Sequence, residues 1–255
     1  MIFRVLGCSG SQSPSGHPCS FLIDDEIVLD MGSAATVLPH EQQRGIRHVL
    51  LSHPHLDHVK DLPFLVDNVF RRIDAPISVY GTASTLAKIR DHLFNDAIWP
   101  DFTALPTLEQ ATLKYHQIGT HEAYSVGKLS VRAIPVHHPG GCVAFLLESE
   151  KGILVYSGDT GPTEKLWRAV NADADRITAL LVETSFPNRL DSLAEVSGHL
   201  TPERLQRELA KLEVGDVPIF IYHVKEATRA ETESELKALP DPRLRLLEPG
   251  MTLEF

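Results

Sequence analysis

Cysteine is scarce: Cys8, Cys19 and Cys142 are the only three in 255 residues. They are too few and too scattered for a disulfide framework or a thiolate zinc site, and a reduced, cytoplasmic setting is the expectation. Long apolar runs are missing as well. None approaches the ~18–20 residues needed to cross a bilayer, so no membrane association is expected. The opening Met1-Ile2-Phe3-Arg4-Val5-Leu6-Gly7 is too short an apolar stretch for a signal peptide and reads as a first strand. Positive charge is in deficit, with 24 Lys and Arg against 34 Asp and Glu and a formal net charge of −10. Proteins that wrap a nucleic-acid backbone draw affinity from neutralised phosphates and carry a basic stripe. The nearest thing here is the pair Arg71-Arg72, which argues against a long nucleic acid as partner. A small anion can still bind if something local and cationic receives it. Low-complexity segments, short repeats and linkers are also lacking, so residues 1–255 are expected to form one domain.

What remains is a globular composition, 43% hydrophobic and 23% charged. Short β-branched runs, from Ile2–Leu6 to Arg243–Leu247, read as strands. Leu62–Arg72, Thr82–Phe94, Glu164–Ala172, Pro202–Leu212 and Glu226–Leu239 read as helices. Asp24-Asp25 reads as a hairpin turn, and Thr201-Pro202 as a hydroxyl N-cap followed by proline in the first turn. The first part is strand-rich and the second alternates strand and helix, which predicts layered sheets with helices outside.

Histidine is abundant, 13 in all, and clustered. After the apolar Leu50-Leu51, the segment Ser52-His53-Pro54-His55-Leu56-Asp57-His58 presents three imidazoles and a carboxylate. In an extended loop His53 and His55 face the same side, whereas Asp57 and His58 are adjacent, point apart and can serve a second centre. Such nitrogen and oxygen donors suit zinc, manganese or iron. The spacing differs from the helical HExxH site, where both histidines stack over one ion. Further candidates close other strands: His137-His138 before Pro139-Gly140-Gly141, Asp159 after Tyr156-Ser157-Gly158, and His223 after Ile219-Phe220-Ile221-Tyr222. Open α/β sheets gather sites beyond the carboxyl ends of their strands, which allows distant segments to meet.

Together these segments resemble the metallo-β-lactamase superfamily, from the Gly7-Cys8-Ser9-Gly10 loop to His223. The resemblance implies a four-layer αββα sandwich, an α/β fold with a binuclear site between sheet edges. It implies that His53, His55 and one histidine of the His137-His138 pair bind a first metal. Asp57, His58 and His223 would bind a second, with Asp159 bridging the two. The His-Pro-Gly-Gly turn favours His138; His137 is the alternative.

Two more segments narrow the resemblance. Glu183 ends a hydrophobic strand in Leu181-Val182-Glu183-Thr184-Ser185-Phe186-Pro187-Asn188, and His199 precedes a helix in Gly198-His199-Leu200-Thr201-Pro202. A carboxylate bonded to imidazole fixes its tautomer and raises its basicity, as a proton donor requires; capping or turn roles are the alternative. These segments, with Tyr222-His223-Val224-Lys225 and Leu93–Phe102, are similar to the class II cyclic nucleotide phosphodiesterases. Asp61 departs from the small residues usual there. The resemblance implies hydrolysis of cyclic AMP or cyclic GMP to the 5′-monophosphate by hydroxide held between two divalent ions, zinc first and manganese or iron after it. It assigns Asp57 to orienting the hydroxide and the Glu183–His199 pair to protonating the departing oxygen. It also implies a homodimer. A ribonuclease Z-like tRNA 3′-processing nuclease is the alternative, which the charge balance disfavours. Trp99 and Phe102 offer flat surfaces for stacking a base or packing in a core, and Asn188 is a third candidate substrate contact.

Overall fold

Two seven-stranded sheets carry the molecule, and a computed structural model describes all of residues 1–255. The first sheet contains β1 (Ile2–Gly7), β2 (Ser20–Ile23), β3 (Ile27–Leu29), β4 (His48–Leu50), β5 (Ile77–Gly81) and β6 (Leu113–Gln117) in spatial sequence. The second contains β7 (Ala123–Val126), β8 (Leu129–Pro135), β9 (Val143–Ser149), β10 (Gly152–Tyr156), β11 (Ile177–Glu183), β12 (Ile219–Tyr222) and β13 (Leu244–Leu246). The last strand, β14 (Thr252–Glu254), returns to the first sheet and pairs antiparallel with β1.

Both sheets follow one plan. Antiparallel neighbours come first (β1–β3, then β7–β10), and parallel ones follow (β3–β6, then β10–β13). Parallel pairing needs crossovers, and the helices supply them. In the first half these are α1 (Ala34–Val37), α2 (His40–Gln43), α3 (Leu56–Val59), α4 (Leu62–Val69) and α5 (Ala83–His92). In the second they are α6 (Lys165–Ala172), α7 (Asp191–Ser197), α8 (Pro202–Leu209) and α9 (Arg229–Lys237). None is long and apolar enough to cross a membrane.

The period-two alternation of strand side chains sorts the apolar residues into three layers. Leu50 faces the other sheet with Phe21, Phe145, Tyr156 and Tyr222. Its neighbours Val49 and Leu51 face outward, under Leu65, Val66 and Ile89 of the first helical layer. Val155 and Val182 lie under Trp167, Leu205 and Leu236 of the second. This is the expected αββα sandwich. The Asp24-Asp25 hairpin is present with both residues at positive φ, 48° and 61°, as a tight two-residue β-turn requires.

Three strands and four helices go beyond the sequence reading. Strands β6, β7 and β14 lie at or near sheet edges and carry exposed polar residues such as Lys114, Gln117, Ser125 and Glu254, which blunts the alternation but suits an edge. Helices α1, α2 and α3 are each four residues long, too short to display a 3.6-residue period.

The carboxyl ends of β3, β4, β8, β10, β11 and β12 deliver Asp30, His53–His58, His138, Asp159, Glu183 and His223 to one crevice between the sheets. Helix α3 starts inside that run, with His55 as its N-cap. Successive helical residues diverge by about 100°, so His58 turns into the protein while Asp57 keeps 30% of its side chain in solvent.

Candidate metal centre

Asp159 is the hub of the crevice. Its Oδ2 lies 3.7 Å from His53 Nε2 and 3.9 Å from His138 Nε2 on one side. On the other it lies 3.3 Å from His58 Nε2 and 3.2 Å from His223 Nε2. His55 Nδ1 is 3.1 Å from His138 Nε2, and Asp57 Oδ2 is 3.4 Å from His223 Nε2. Two donor sets therefore share one carboxylate: His53, His55 and His138 form the first, and Asp57, His58 and His223 the second. His53, His55 and His138 converge closely enough to hold one ion, as do His53, His58 and Asp159.

The imidazoles are aimed by a second ring of groups. Buried Asp30 accepts from His58 Nδ1 at 2.8 Å, from Ser52 Oγ at 2.7 Å and from Tyr156 OH at 2.7 Å. Ser52 Oγ in turn accepts from His53 Nδ1 at 3.0 Å. Glu183 repeats the device on the other sheet, accepting from His199 Nδ1 at 2.8 Å and from Ser185 Oγ at 3.2 Å. Ser185 Oγ accepts from His223 Nδ1 at 2.7 Å. His138 Nδ1 donates to Gly198 O at 2.9 Å. Each bond fixes the proton on Nδ1 and leaves the Nε2 lone pair facing the crevice, the tautomer that a metal or a transferable proton requires. Gly10 permits the packing beneath His223, since a β-carbon there would stand 2.3 Å from His223 O.

The electrostatics suit cations. Burial holds the imidazoles of His53, His55 and His199 below the usual histidine range, and takes His138 to about 4. Burial opposes charge on His58 too, but Asp159 and Asp30 outweigh it and raise this imidazole well above its usual value. Burial would raise Asp159, yet His223 and His58 hold its carboxyl well below the usual range. Two buried polar atoms of the crevice, His53 Nε2 and Asp159 Oδ1, have no hydrogen-bond partner. An unmet buried polar atom costs about 1–3 kcal/mol, and a divalent cation in the crevice would satisfy both. The donor set fits divalent metal.

Comparison with known proteins agrees with this geometry. Residues 33–248 match the family model described as cAMP phosphodiesterases class-II. The chain belongs to this family. The span of the class-II match includes all seven candidate ligands, along with Glu183 and His199. A probable 3′,5′-cyclic-nucleotide phosphodiesterase of Yersinia pestis is 27% identical over 72% of this chain, and the alignment takes in 58% of that protein. The 3′,5′-cyclic-nucleotide phosphodiesterase of Aliivibrio fischeri is 27% identical over 87% of this chain and 80% of its own length. Among solved structures, unliganded yeast PDE1 superposes with a TM-score of 0.85 at 20% identity, covering 100% of this chain and 99% of that one. The metallo-β-lactamase fold protein YhfI of Bacillus subtilis gives 0.77 at 16% identity, covering 99% and 98%. These superpositions establish the metallo-β-lactamase fold of this class-II chain.

Of the residues singled out in the sequence, His53, His55, Asp57, His58, His138, Asp159, Glu183, His199 and His223 meet in the crevice. His137 does not; it is exposed, and its carbonyl accepts from Gly161 N at 2.7 Å. The two aromatic candidates pack in the first helical layer. Phe102 is buried in the first helical layer, edge-on to Phe70 and Phe94, with no free face. Trp99 packs on the same layer and meets Phe64 edge-on at 5.4 Å. Asn188 bonds within the chain near the surface: its N–H donates to Glu235 and its Oδ1 accepts from Glu203 N at the start of α8. Sequence reasoning missed Asp30, Ser52 and Ser185. Asp30 stands at the end of a predicted strand like Asp159, and that position was the available signal.

Proposed function

We propose that the protein hydrolyses 3′,5′-cyclic nucleotides, cyclic AMP or cyclic GMP, to nucleoside 5′-monophosphates at a binuclear centre. His53, His55, His138 and Asp159 would hold one divalent ion, and Asp57, His58, His223 and Asp159 the other. Zinc is the first choice for such imidazole and carboxylate donors, with manganese or iron compatible. Bound there, the cations supply Lewis acidity and lower the pKa of water. They also explain how an acidic chain receives a phosphate, because the local charge opposes the global one.

The chain's own residues then divide the remaining tasks. Asp57, the most open of the carboxylates, orients the attacking water. His199 offers Nε2 to the scissile ester, and Glu183 on its Nδ1 stabilises the imidazolium from which the departing 3′-oxygen takes a proton. Ring stacking of His199 on His223, with centroids 5.2 Å apart, keeps this donor beside the ligand cluster. The observation that carries the proposal is the conjunction of two donor sets sharing Asp159 with a carboxylate–imidazole pair on their border. A homodimer and a cytoplasmic location are further parts of the proposal, read by light scattering and by fractionation.

The test is metal analysis together with product assays on cyclic AMP, cyclic GMP, 2′,3′-cyclic nucleotides, cyclic dinucleotides and precursor tRNA. About two metals per chain and 5′-monophosphate product are expected. Asp159→Ala should abolish both. His199→Ala should keep the metals and slow cyclic AMP turnover by about 10²–10⁴, with less effect on a p-nitrophenyl ester, whose leaving group needs no proton. Metal-replete protein inactive on every cyclic nucleotide would refute the proposal.

A further inference from the structure

A groove of about 420 Å³ opens directly off His55, between the metal-ligand loop and α5. Its lining is largely apolar: Val59 and Ile89 are buried, and Leu93 is half-buried. Leu56 forms a wall and is 68% exposed, although it follows a candidate ligand in sequence. A large leucine left open beside a reaction centre marks a contact surface more than a packing residue. Lys88 and His92 of α5 supply the polar edge. Lys88 Nζ donates to Gly140 O at 2.8 Å, in the turn that also carries His138. That bond uses one of its three donors and anchors the amine over the groove.

We infer that this groove is the base subsite and that Lys88 selects a purine bearing a 6-oxo group. The inference rests on the cyclic-nucleotide reading above. A phosphodiester docked at Asp159 must direct its sugar and base away from the crevice, and the groove begins at the wall that His55 provides. A flat heterocycle lies well on Leu56, Val59, Ile89 and Leu93. Guanine presents two acceptors on one edge, O6 and N7, whereas adenine replaces O6 with an amino donor. Lysine has donors only, so its free N–H groups satisfy guanine and oppose the adenine amine. Phe102 is buried, and Trp99, half-buried against Phe64, does not line this groove, which leaves the contact with the base to these aliphatic side chains.

The experiment compares kcat/KM for cyclic GMP and cyclic AMP in the wild type, Lys88→Met and Lys88→Gln, with metal content measured in each. The wild type should favour cyclic GMP. Lys88→Met should cut that preference roughly tenfold, mostly through KM, with metal content unchanged. Lys88→Gln, able to donate and accept, should move the preference toward cyclic AMP. A further variant, Leu93→Trp, should raise KM for both nucleotides by filling the groove. Hydrolysis of both nucleotides with a ratio that neither Lys88 variant moves beyond twofold would overturn the base subsite and leave the proposed activity standing. No hydrolysis of either nucleotide by metal-replete wild type would overturn the activity, and the subsite with it.

Discussion

Asp30→Asn separates orientation of the ligands from the ligands themselves. Asp30 touches no predicted metal, yet it is fully buried and accepts four hydrogen bonds, from Ser52 N, Ser52 Oγ, His58 Nδ1 and Tyr156 OH, all within 2.8 Å. Its backbone has φ 52°, a left-handed conformation that asparagine tolerates nearly as well as aspartate, so chain strain does not confound the test. The amide cannot satisfy the site in either orientation. With its NH2 toward Ser52 N, two donors that cannot reverse face one another. Turned the other way it confronts His58 Nδ1–H, and relief then requires that proton to move to Nε2, the atom that faces Asp159. Ser52 and Tyr156 can rotate their hydroxyls; the backbone and the imidazole cannot. Loss of an outer-shell partner of this kind costs about 10–100-fold in metal affinity, which is roughly 1.4–2.7 kcal/mol. Chelator competition followed by metal analysis reads the affinity, and thermal unfolding of the metal-free proteins reads the fold. Wild-type affinity in a folded Asp30→Asn protein would refute the assignment of Asp30 as the group that holds His58 and, through Ser52, His53.

Three other outcomes follow from burial. Phe102→Ala should cost about 3–5 kcal/mol in denaturant unfolding as a core truncation while leaving the ratio of cyclic AMP to cyclic GMP turnover unmoved; a changed ratio at unchanged stability would return Phe102 to the substrate. The three cysteines should resist a thiol reagent at pH 8, because burial pushes Cys8 up to about 12 and raises Cys19 and Cys142 well above the usual thiol range. All three should react once the protein is unfolded, and rapid native labelling of any of them would contradict the packing. In the second helical layer, buried Glu208 accepts from Trp167 Nε1 at 2.7 Å and Thr163 N at 2.9 Å and pairs with Lys211. Glu208→Gln should lower stability by roughly 2 kcal/mol with catalysis intact; an unchanged melting temperature would deny that network its weight.

The candidate ligands stood out in the sequence because a strand that ends in polar chemistry leaves a local mark. His53 to His58 packs four donors behind Leu50-Leu51, and Asp159 and His223 each follow an uninterrupted apolar strand. Choosing between His137 and His138 needed the turn itself, since adjacent residues point opposite ways. The aromatic candidates raise a different difficulty. An aromatic residue looks the same in sequence whether its face is covered or free, and Phe102 is covered by Phe70, thirty-two positions away. Asp30, Ser52 and Ser185 escaped notice because their partners are distant in sequence or ambiguous: Asp30 reaches His58 across 28 residues and Ser185 reaches His223 across 38.

The two supports follow one design. Each sheet contributes a buried carboxylate that takes one histidine directly and a second through a serine: Asp30 with His58 and His53, Glu183 with His199 and His223. Asp159 lies where the two meet. The pairings differ in consequence. Asp30 supports one imidazole from each donor set and bonds neither Glu183 nor His199, so disturbing it weakens both sets without touching the proposed proton donor. Glu183 supports one ligand and the proposed proton donor, so substituting it confounds metal retention with proton delivery. His199 hangs from Glu183 at the end of its branch, and although it stacks on His223, its Nδ1 bonds only Glu183 and Ser185 and no candidate ligand. It is therefore the position at which loss of proton transfer can be read with the ligands still held, and a His199→Ala protein that also lost its metals would mean that the imidazole belongs to the cage.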